Sequence, residues 1–382
     1  MGNKSYLPMT VFDAALERIR WLFDEFDDVV VSFSGGKDST VTLNLALMVA
    51  EEKGRLPLQV CFIDQEAEWE TVIDYIRTVR DDPRVDMQWF QIPVRIENAT
   101  SGDEPFIVCW DPAKEAVWMR PQEPGAITVK PPTVDKWAGM FNALGEHYYP
   151  DRKMVRLAGV RCSESPARMK GLTSYATYEG ATWGSVASKK LTHVTMYPIY
   201  DWGDTDVWKA IHDNKWPYCA IYDYMFQHGV PFRNMRVSSL CHETAVKTLY
   251  YLQEVEGDTW TKLTNQLQGI NTAGQMKADM FSPKDLPFMF KDWREYRDYL
   301  VANLVEDPKI RAKFTKLFAA ADARYDDPQV LRQLCRLQVS SVLTNDHIGT
   351  KMASFNASHG AFAKNKGKLG GLVTGVLTGG EP

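Results

Sequence analysis

Cysteine is sparse and scattered. Six occur in 382 residues, at Cys61, Cys109, Cys162, Cys219, Cys241 and Cys335, and the closest two stand 22 positions apart. No CxxC pair exists to seed a zinc ribbon, a redox dithiol or a typical iron–sulfur site, so no iron–sulfur cluster is expected. The seven histidines show no HExxH or comparable metal spacing. An excess of positive charge is lacking too: 44 Lys plus Arg against 49 Asp plus Glu leave a net charge of −5, which gives no global attraction to nucleic acid or an anionic membrane. No apolar run approaches the ~20 residues of a membrane span. Val11 to Phe26 is interrupted by Asp13, Glu17, Arg18, Arg20, Asp24 and Glu25, which no secretory leader tolerates. Tyr6 stands where a myristoylation signal wants Ser or Thr. A cytoplasmic chain without membrane contact is the expectation.

What the chain has is 45% hydrophobic and 24% charged residues, enough to bury a core. The first half alternates short apolar runs with amphipathic segments, the pattern of a parallel α/β sheet. Val11 to Asp24 reads as a leading helix. Val29 to Phe33, Leu58 to Ile63, Val85 to Ile92, Met154 to Ala158 and Val194 to Ile199 read as strands. Ser39 to Glu52, Glu68 to Arg80, Ser163 to Gly171 and Asp204 to Asn214 read as helices, the last with Asp204 or Thr205 as its cap. Thr100 to Pro150, rich in Pro, Trp and Gly, breaks the rhythm and reads as an insertion over one sheet edge. Val246–Glu256, Trp293–Leu304, Pro308–Ala321 and Pro328–Leu343 read as helices. The predicted organisation is therefore a doubly wound, mostly parallel α/β domain over 1–245 with an irregular insertion at 100–150. A helical C-terminal lobe over 246–345 and a Gly- and Lys-rich, flexible tail over 346–382 complete it.

The strongest motif is Ser32-Phe33-Ser34-Gly35-Gly36-Lys37-Asp38-Ser39-Thr40, between an apolar strand and an amphipathic helix. The two glycines allow positive φ and let backbone N–H groups approach an anion, while the helix that follows aims its positive end at the same point. Lys37 adds a point charge, and Ser34, Ser39 and Thr40 add donors. A kinase-type Walker loop would need Gly at position 31 and Ser or Thr directly after the Lys, where this chain has Val31 and Asp38. The expected ligand is a pyrophosphate group, with Asp38 as a Mg²⁺ ligand.

The run Ser34-Gly35-Gly36-Lys37-Asp38-Ser39 resembles the loop of the N-type ATP pyrophosphatases, the adenine-nucleotide α-hydrolase superfamily. Leu157-Ala158-Gly159-Val160-Arg161-Cys162-Ser163-Glu164-Ser165 with Arg168 resembles the second motif of its phosphoadenylyl sulfate (PAPS) reductase and sulfurylase branch. Tyr197-Pro198-Ile199-Tyr200-Asp201-Trp202, Asp206-Val207-Trp208, Pro217-Tyr218 and Ile221-Tyr222-Asp223 resemble that branch's third motif. Cys109-Trp110-Asp111, Val117-Trp118-Met119-Arg120-Pro121 and Leu343-Thr344-Asn345-Asp346-His347 are similar to the immunoglobulin-binding-regulator-A type. That last resemblance implies a ParB-like partner, in a homo-oligomer or hetero-complex.

In a doubly wound sheet the ligand sits at the carboxyl ends of the strands. The residues expected there are the phosphate loop, then Asp64, Gln65 and Glu66, then Gly159, Arg161 and Glu164, then Asp201 and Trp202. The resemblance implies that residues after the second strand border adenosine, and that Arg161 and Arg168 face phosphate or sulfate oxygens. The implied reaction is attack at the α-phosphorus of ATP, with Lys37, Asp38, Arg161 and Arg168 as catalytic residues and ATP with Mg²⁺ as ligands. Glu164 has a second reading, as an acid opposing the dipole of its own helix. The alternative enzyme reduces PAPS or its relative adenylyl sulfate (APS), which requires a thiolate. The reductases carry that cysteine in a C-terminal motif, whereas 351–382 contains none. Cys241, beside His242 and Glu243, is then the one candidate nucleophile. A third reading is a nucleotide sensor acting with the ParB-like partner. Trp110, Trp118, Trp137 and Trp183 read chiefly as loop anchors. Lys189 and Lys190 read as a solvated pair. Lys351, Lys364, Lys366 and Lys368 read chiefly as part of a spare solvated tail, with contact to nucleic acid as the alternative.

Overall fold

The computed structural model describes residues 8–98, 106–134, 137, 139–174, 176–186, 192–232, 235–237, 239–242, 249–267 and 283–359. Helix α1 (Val11–Glu25) opens the fold, its first turn capped by Thr10, whose hydroxyl accepts from the Asp13 N–H at 3.1 Å. There follow β1 (Asp28–Ser32), α2 (Lys37–Glu52), β2 (Leu58–Ile63), α3 (Glu70–Arg80) and β3 (Val85–Phe90). A small antiparallel ribbon comes next, β4 (Val94–Glu97) with β5 (Phe106–Cys109). Helix α4 (Met140–Tyr148), β6 (Met154–Leu157), α5 (Pro166–Thr173), β7 (Gly184–Val186), β8 (His193–Met196), α6 (Asp204–Asp213) and α7 (Ile221–Gln227) complete the sheet and its covering.

The six-stranded sheet runs β3-β2-β1-β6-β8-β7. All neighbours are parallel except the edge strand β7, which is antiparallel to β8. Central β1 is the all-apolar run Val29-Val30-Val31, buried on both faces as an interior parallel strand must be. Val29 and Val31 join the core formed with α1, α2, α3 and α6, whereas Val30 joins a second cluster with Met140 and Leu144 of α4. Helices therefore lie on both faces, and the strand order reverses at β1 and β6. That is where a doubly wound sheet opens a crevice.

The region expected to be an irregular insertion is more ordered than its composition implies. It contributes β5 and α4, and Trp110 is among the largest fully buried side chains. The helices beyond 246 also divide differently. Leu252, Trp260, Leu263 and Leu267, on α8 (Leu249–Val255), α9 (Gly257–Gln266) and just beyond, belong to the sheet's own core. A separate apolar core begins only at Trp293 and joins α10 (Trp293–Asn303), α11 (Pro308–Asp322), α12 (Pro328–Leu343) and α13 (Thr350–Ser358). The last two long helices each begin at an Asp–Pro pair, with Asp307 and Asp327 capping and Pro at the first helical position. The start of the tail expected from 346 yields to α13, because Met352 and Phe355 bury themselves in this second core, and the tail expected over 360–382 lies outside the described residues. Helix α13 also lies against α5. Lys189, Lys190, Arg233, Glu243, Lys364, Lys366 and Lys368 lie outside the described residues. Among the described residues, no helix is long and apolar enough to cross a membrane.

Candidate nucleotide site

A cavity of about 710 Å³ opens at the carboxyl ends of β1, β2 and β6. Its floor is the turn between β1 and α2. Gly35 has φ +71°, a conformation reserved in practice for glycine, and a Cβ there would meet Val72 Cγ1 at 2.9 Å. Gly36 is the N-cap of α2 and offers no side chain to cap it, so the positive end of the helix faces the cavity. Gly159, after β6, packs directly on this turn. A Cβ at 159 would lie 2.6 Å from the Asp38 carbonyl and 2.8 Å from the Ser39 nitrogen.

Asp38 and Arg161 form the centre of a buried charge network. Arg161 is 2% exposed. Its Nε donates to Asp38 Oδ1 at 2.5 Å, one terminal nitrogen to Asp204 Oδ1 at 2.6 Å, and the other to Ser163 Oγ at 2.9 Å. The Lys37 ammonium, almost fully buried, donates to Asp38 Oδ2 at 3.1 Å and to the Met235 carbonyl at 3.4 Å. Arg168 pairs with Glu164, and Arg236 donates to the Glu164 carbonyl at 3.4 Å. Glu68, on the opposite wall, is 6% exposed. Burial, reinforced by the nearby charge of Asp64, pushes its carboxyl up to about 8. With Glu68 holding its proton near neutral pH, the cavity lining sets Lys37, Arg161, Arg168 and Arg236 against the acids Asp38, Glu164 and Asp204. An anion is favoured there. The remaining walls include Phe62, Ile63, Trp137 and Phe141, an apolar surface suited to a ring.

Of the residues expected at the site, the structure brings together Ser32, Ser34, Gly36, Lys37, Asp38, Ser39, Gln65, Gly159, Arg161, Glu164 and Arg168. Gly35 shapes the turn from behind. Thr40 is turned away, its hydroxyl 3.2 Å from that of Tyr75. Asp64 and Glu66 do not line the cavity, because both carboxylates are consumed in the core. Asp64 accepts from Arg120 at 2.5 Å, from Trp89 Nε1 at 3.0 Å and from Gln91 at 2.9 Å. Glu66 accepts from the Trp110 and Met119 N–H groups and from Gln266. Asp201 is drawn off by Arg18 at 2.6 Å, and Trp202 is anchored by its indole N–H to the Val11 carbonyl at 3.0 Å.

Two of the expected roles fall on side chains that already hold partners. Arg161 already donates through Nε and both terminal nitrogens, so it holds Asp38 in place rather than offering a fork to phosphate. The two oxygens of Asp38 are each in an ion pair, with Arg161 and with Lys37, so a Mg²⁺ on this carboxylate would share it with two cations. Among the described residues, no group of three or more His, Cys, Asp or Glu is placed to hold a metal ion. Cys241 is fully buried, outside the cavity lining, and burial pushes its thiol far up, which leaves no thiolate for attack.

The site also contains residues that the motifs did not single out as ligands: Glu68, Ser163, Asp204, Tyr222, Arg236 and Ser239. The sequence offers Asp204 or Thr205 as the helix cap. That task falls instead to Asp206, whose carboxylate accepts from the Gly203 N–H at 2.7 Å, leaving Asp204 for Arg161.

Residues 28–228 match the phosphoadenosine phosphosulfate reductase domain, the stretch that carries the sheet, the phosphate turn and Arg161. The chain belongs to this family. Residues 229–327 match a domain of unknown function, DUF3440. That stretch completes the reductase-family cavity, since Arg236, Val237, Ser239 and His242 line it. The chain is 28% identical over 320 residues to the Escherichia coli (strain K12) protein described as uncharacterized protein YbdN, covering 78% of this chain and 77% of that one. It is 27% identical over 209 residues to sulfate adenylyltransferase subunit 2 of Mycobacterium tuberculosis (strain ATCC 25618 / H37Rv), covering 52% of this chain and 58% of that one. The PAPS reductase of Candida auris, solved as a phosphate complex, overlays 58% of this chain and 94% of its own at a TM-score of 0.30 and 13% identity. The FMN adenylyltransferase of Candida glabrata overlays 58% of this chain and 62% of its own at 0.35 and 14%.

Proposed function

We propose that the chain binds ATP with its phosphates on the Ser34–Thr40 turn and cleaves it between the α- and β-phosphates, passing the adenylyl group to an acceptor. One observation carries this reading. The N-terminus of α2, with no side chain on Gly36 to cap it, and the Lys37 ammonium face a cavity whose lining also carries Arg161, Arg168 and Arg236 and an apolar wall of Phe62, Ile63, Trp137 and Phe141. An acceptor oxygen forms the new bond to the α-phosphorus, the bond to the α–β bridging oxygen breaks, and its electron pair departs with pyrophosphate. Charge grows on the leaving and non-bridging oxygens, where preorganised donors stabilise the transition state more than the ground state. The α2 N–H groups after Lys37, whose own N–H is held by Tyr222, and the Lys37 ammonium are the donors at hand, with Arg168 and Arg236 also lining the cavity. Asp38 orients the Lys37 ammonium and Arg161 orients Asp38. The sulfonucleotide-reductase alternative is less well supported, because no cysteine is among the residues lining the cavity.

The test is incubation of the full chain with ATP labelled at the α-phosphorus, alone and with candidate acceptors. Labelled AMP or an AMP adduct together with pyrophosphate is the expected product. Orthophosphate release, or thiol-dependent sulfite from PAPS, would overturn the assignment. ATP binding without turnover would refute catalysis and favour nucleotide sensing beside a ParB-like partner. Lys37→Ala and Asp38→Ala are expected to abolish turnover while leaving a cooperative unfolding transition; wild-type turnover in both would remove the site.

A further inference from the structure

Tyr222 on α7 is 3% exposed and lines the cavity, and no motif reading gave it a role at the site. Its ring is fixed edge-on against Trp208, with centroids 5.3 Å apart. Its hydroxyl oxygen accepts the Lys37 backbone N–H at 2.9 Å. The same oxygen lies 3.5 Å from where a Cβ on Gly36 would sit, which places it at the mouth of the phosphate turn. A phenol oxygen that accepts an N–H still has one O–H to donate. Among the described residues, nothing accepts that proton. Burial raises the phenol far above its ordinary value, so it stays protonated. A buried donor without an acceptor is costly unless a ligand supplies one.

We propose that the Tyr222 hydroxyl donates a hydrogen bond to a phosphate oxygen of the bound nucleotide, as a third kind of donor beside the α2 N-terminus and Lys37. The inference rests on the phosphate-turn reading above and assigns a binding residue within it. It also explains why α7, the second helix after the sheet, is tied to the turn that opens α2. The hydroxyl braces the first N–H of α2 and at the same time extends the anion site by one donor.

The experiment is calorimetric titration of the full chain with inorganic pyrophosphate, ATP and adenosine, on wild type and Tyr222→Phe. A hydrogen bond to a charged acceptor predicts about a ten- to hundredfold weaker Kd for pyrophosphate and ATP, with adenosine affinity unchanged. Loss of the N–H acceptor could instead distort the turn, so a second variant carries 3,5-difluorotyrosine at 222. It keeps the shape and the oxygen while making the hydroxyl a stronger donor, and should bind pyrophosphate more tightly than wild type. A purely structural tyrosine would not produce that gain. Unchanged pyrophosphate affinity in both variants overturns the assignment while leaving the phosphate turn intact. Failure of the wild type to bind pyrophosphate or ATP overturns both.

Discussion

The carboxyl of Glu68 gives the cavity wall a measurable dependence on pH. In the unfolded chain it titrates near its ordinary value of 4.5, and in the folded chain burial raises it to about 8. Between those values the native state holds a proton that the unfolded state has lost. Stability therefore falls as pH rises through this window, and the change levels off above pH 8. A shift of this size corresponds to a ceiling of about 5 kcal/mol, since each unit is worth about 1.4 kcal/mol. Roughly 3 kcal/mol of it is already lost at pH 7. The opposing charges of Asp64 and Arg120 act on the same carboxyl, so an effect of a few kcal/mol is the scale to test. Glu68→Gln is the matching perturbation, because the amide is near in shape to the protonated acid and cannot ionise. Urea unfolding of both chains at a series of pH values isolates the contribution of Glu68, other titrating groups cancelling in the difference. Relative to wild type, the variant should gain stability steadily from pH 5 to pH 8. A difference that stays flat across that range, or that shrinks as pH rises, would refute the reasoning.

Two further perturbations test the packing. Gly159→Ala forces a methyl onto the Asp38 and Ser39 backbone at 2.6 to 2.8 Å, where no flexible side chain can give way. A loss of about 1–3 kcal/mol in thermal or urea unfolding, together with weakened ATP binding in titration, is expected; an unchanged melting temperature would contradict the contact. Arg120→Met strands the fully buried Asp64 carboxylate, whose partner is 2.5 Å away, and should cost about 3–5 kcal/mol in the same unfolding assay. Adding Asp64→Asn to that variant should recover much of the loss.

The sheet and its phosphate turn were legible because their signals are local. Val29-Val30-Val31 followed by Gly35-Gly36-Lys37 announces a buried strand, a tight turn and a helix within ten residues. Strands of three or four residues are harder to read. The ribbon at 94–97 and 106–109 and the edge strand at 184–186 are too short to establish a period. The rule that ligands lie beyond strand ends located the crevice but could not sort its carboxylates. Asp64 and Glu66 sit in the expected place and are nevertheless taken by Arg120, Trp110 and Gln266, partners 44 to 200 positions away. Tyr222 and Arg236 reach the cavity only because the chain after the sheet folds back over it, which no local pattern encodes.

Helix α3 has no side-chain cap of its own at Trp69. The carboxylate of Glu256, between α8 and α9, accepts the Glu70 and Thr71 N–H groups at 2.8 and 2.9 Å and also the Thr71 hydroxyl. An early element of the reductase-type fold is thus finished by a residue from the stretch matched as a separate domain. The seam between the two recognised segments is crossed by these hydrogen bonds. An excised N-terminal half would be a fold with one of its own helix ends left bare, so natural variation at 70–71 and at 256 should travel together.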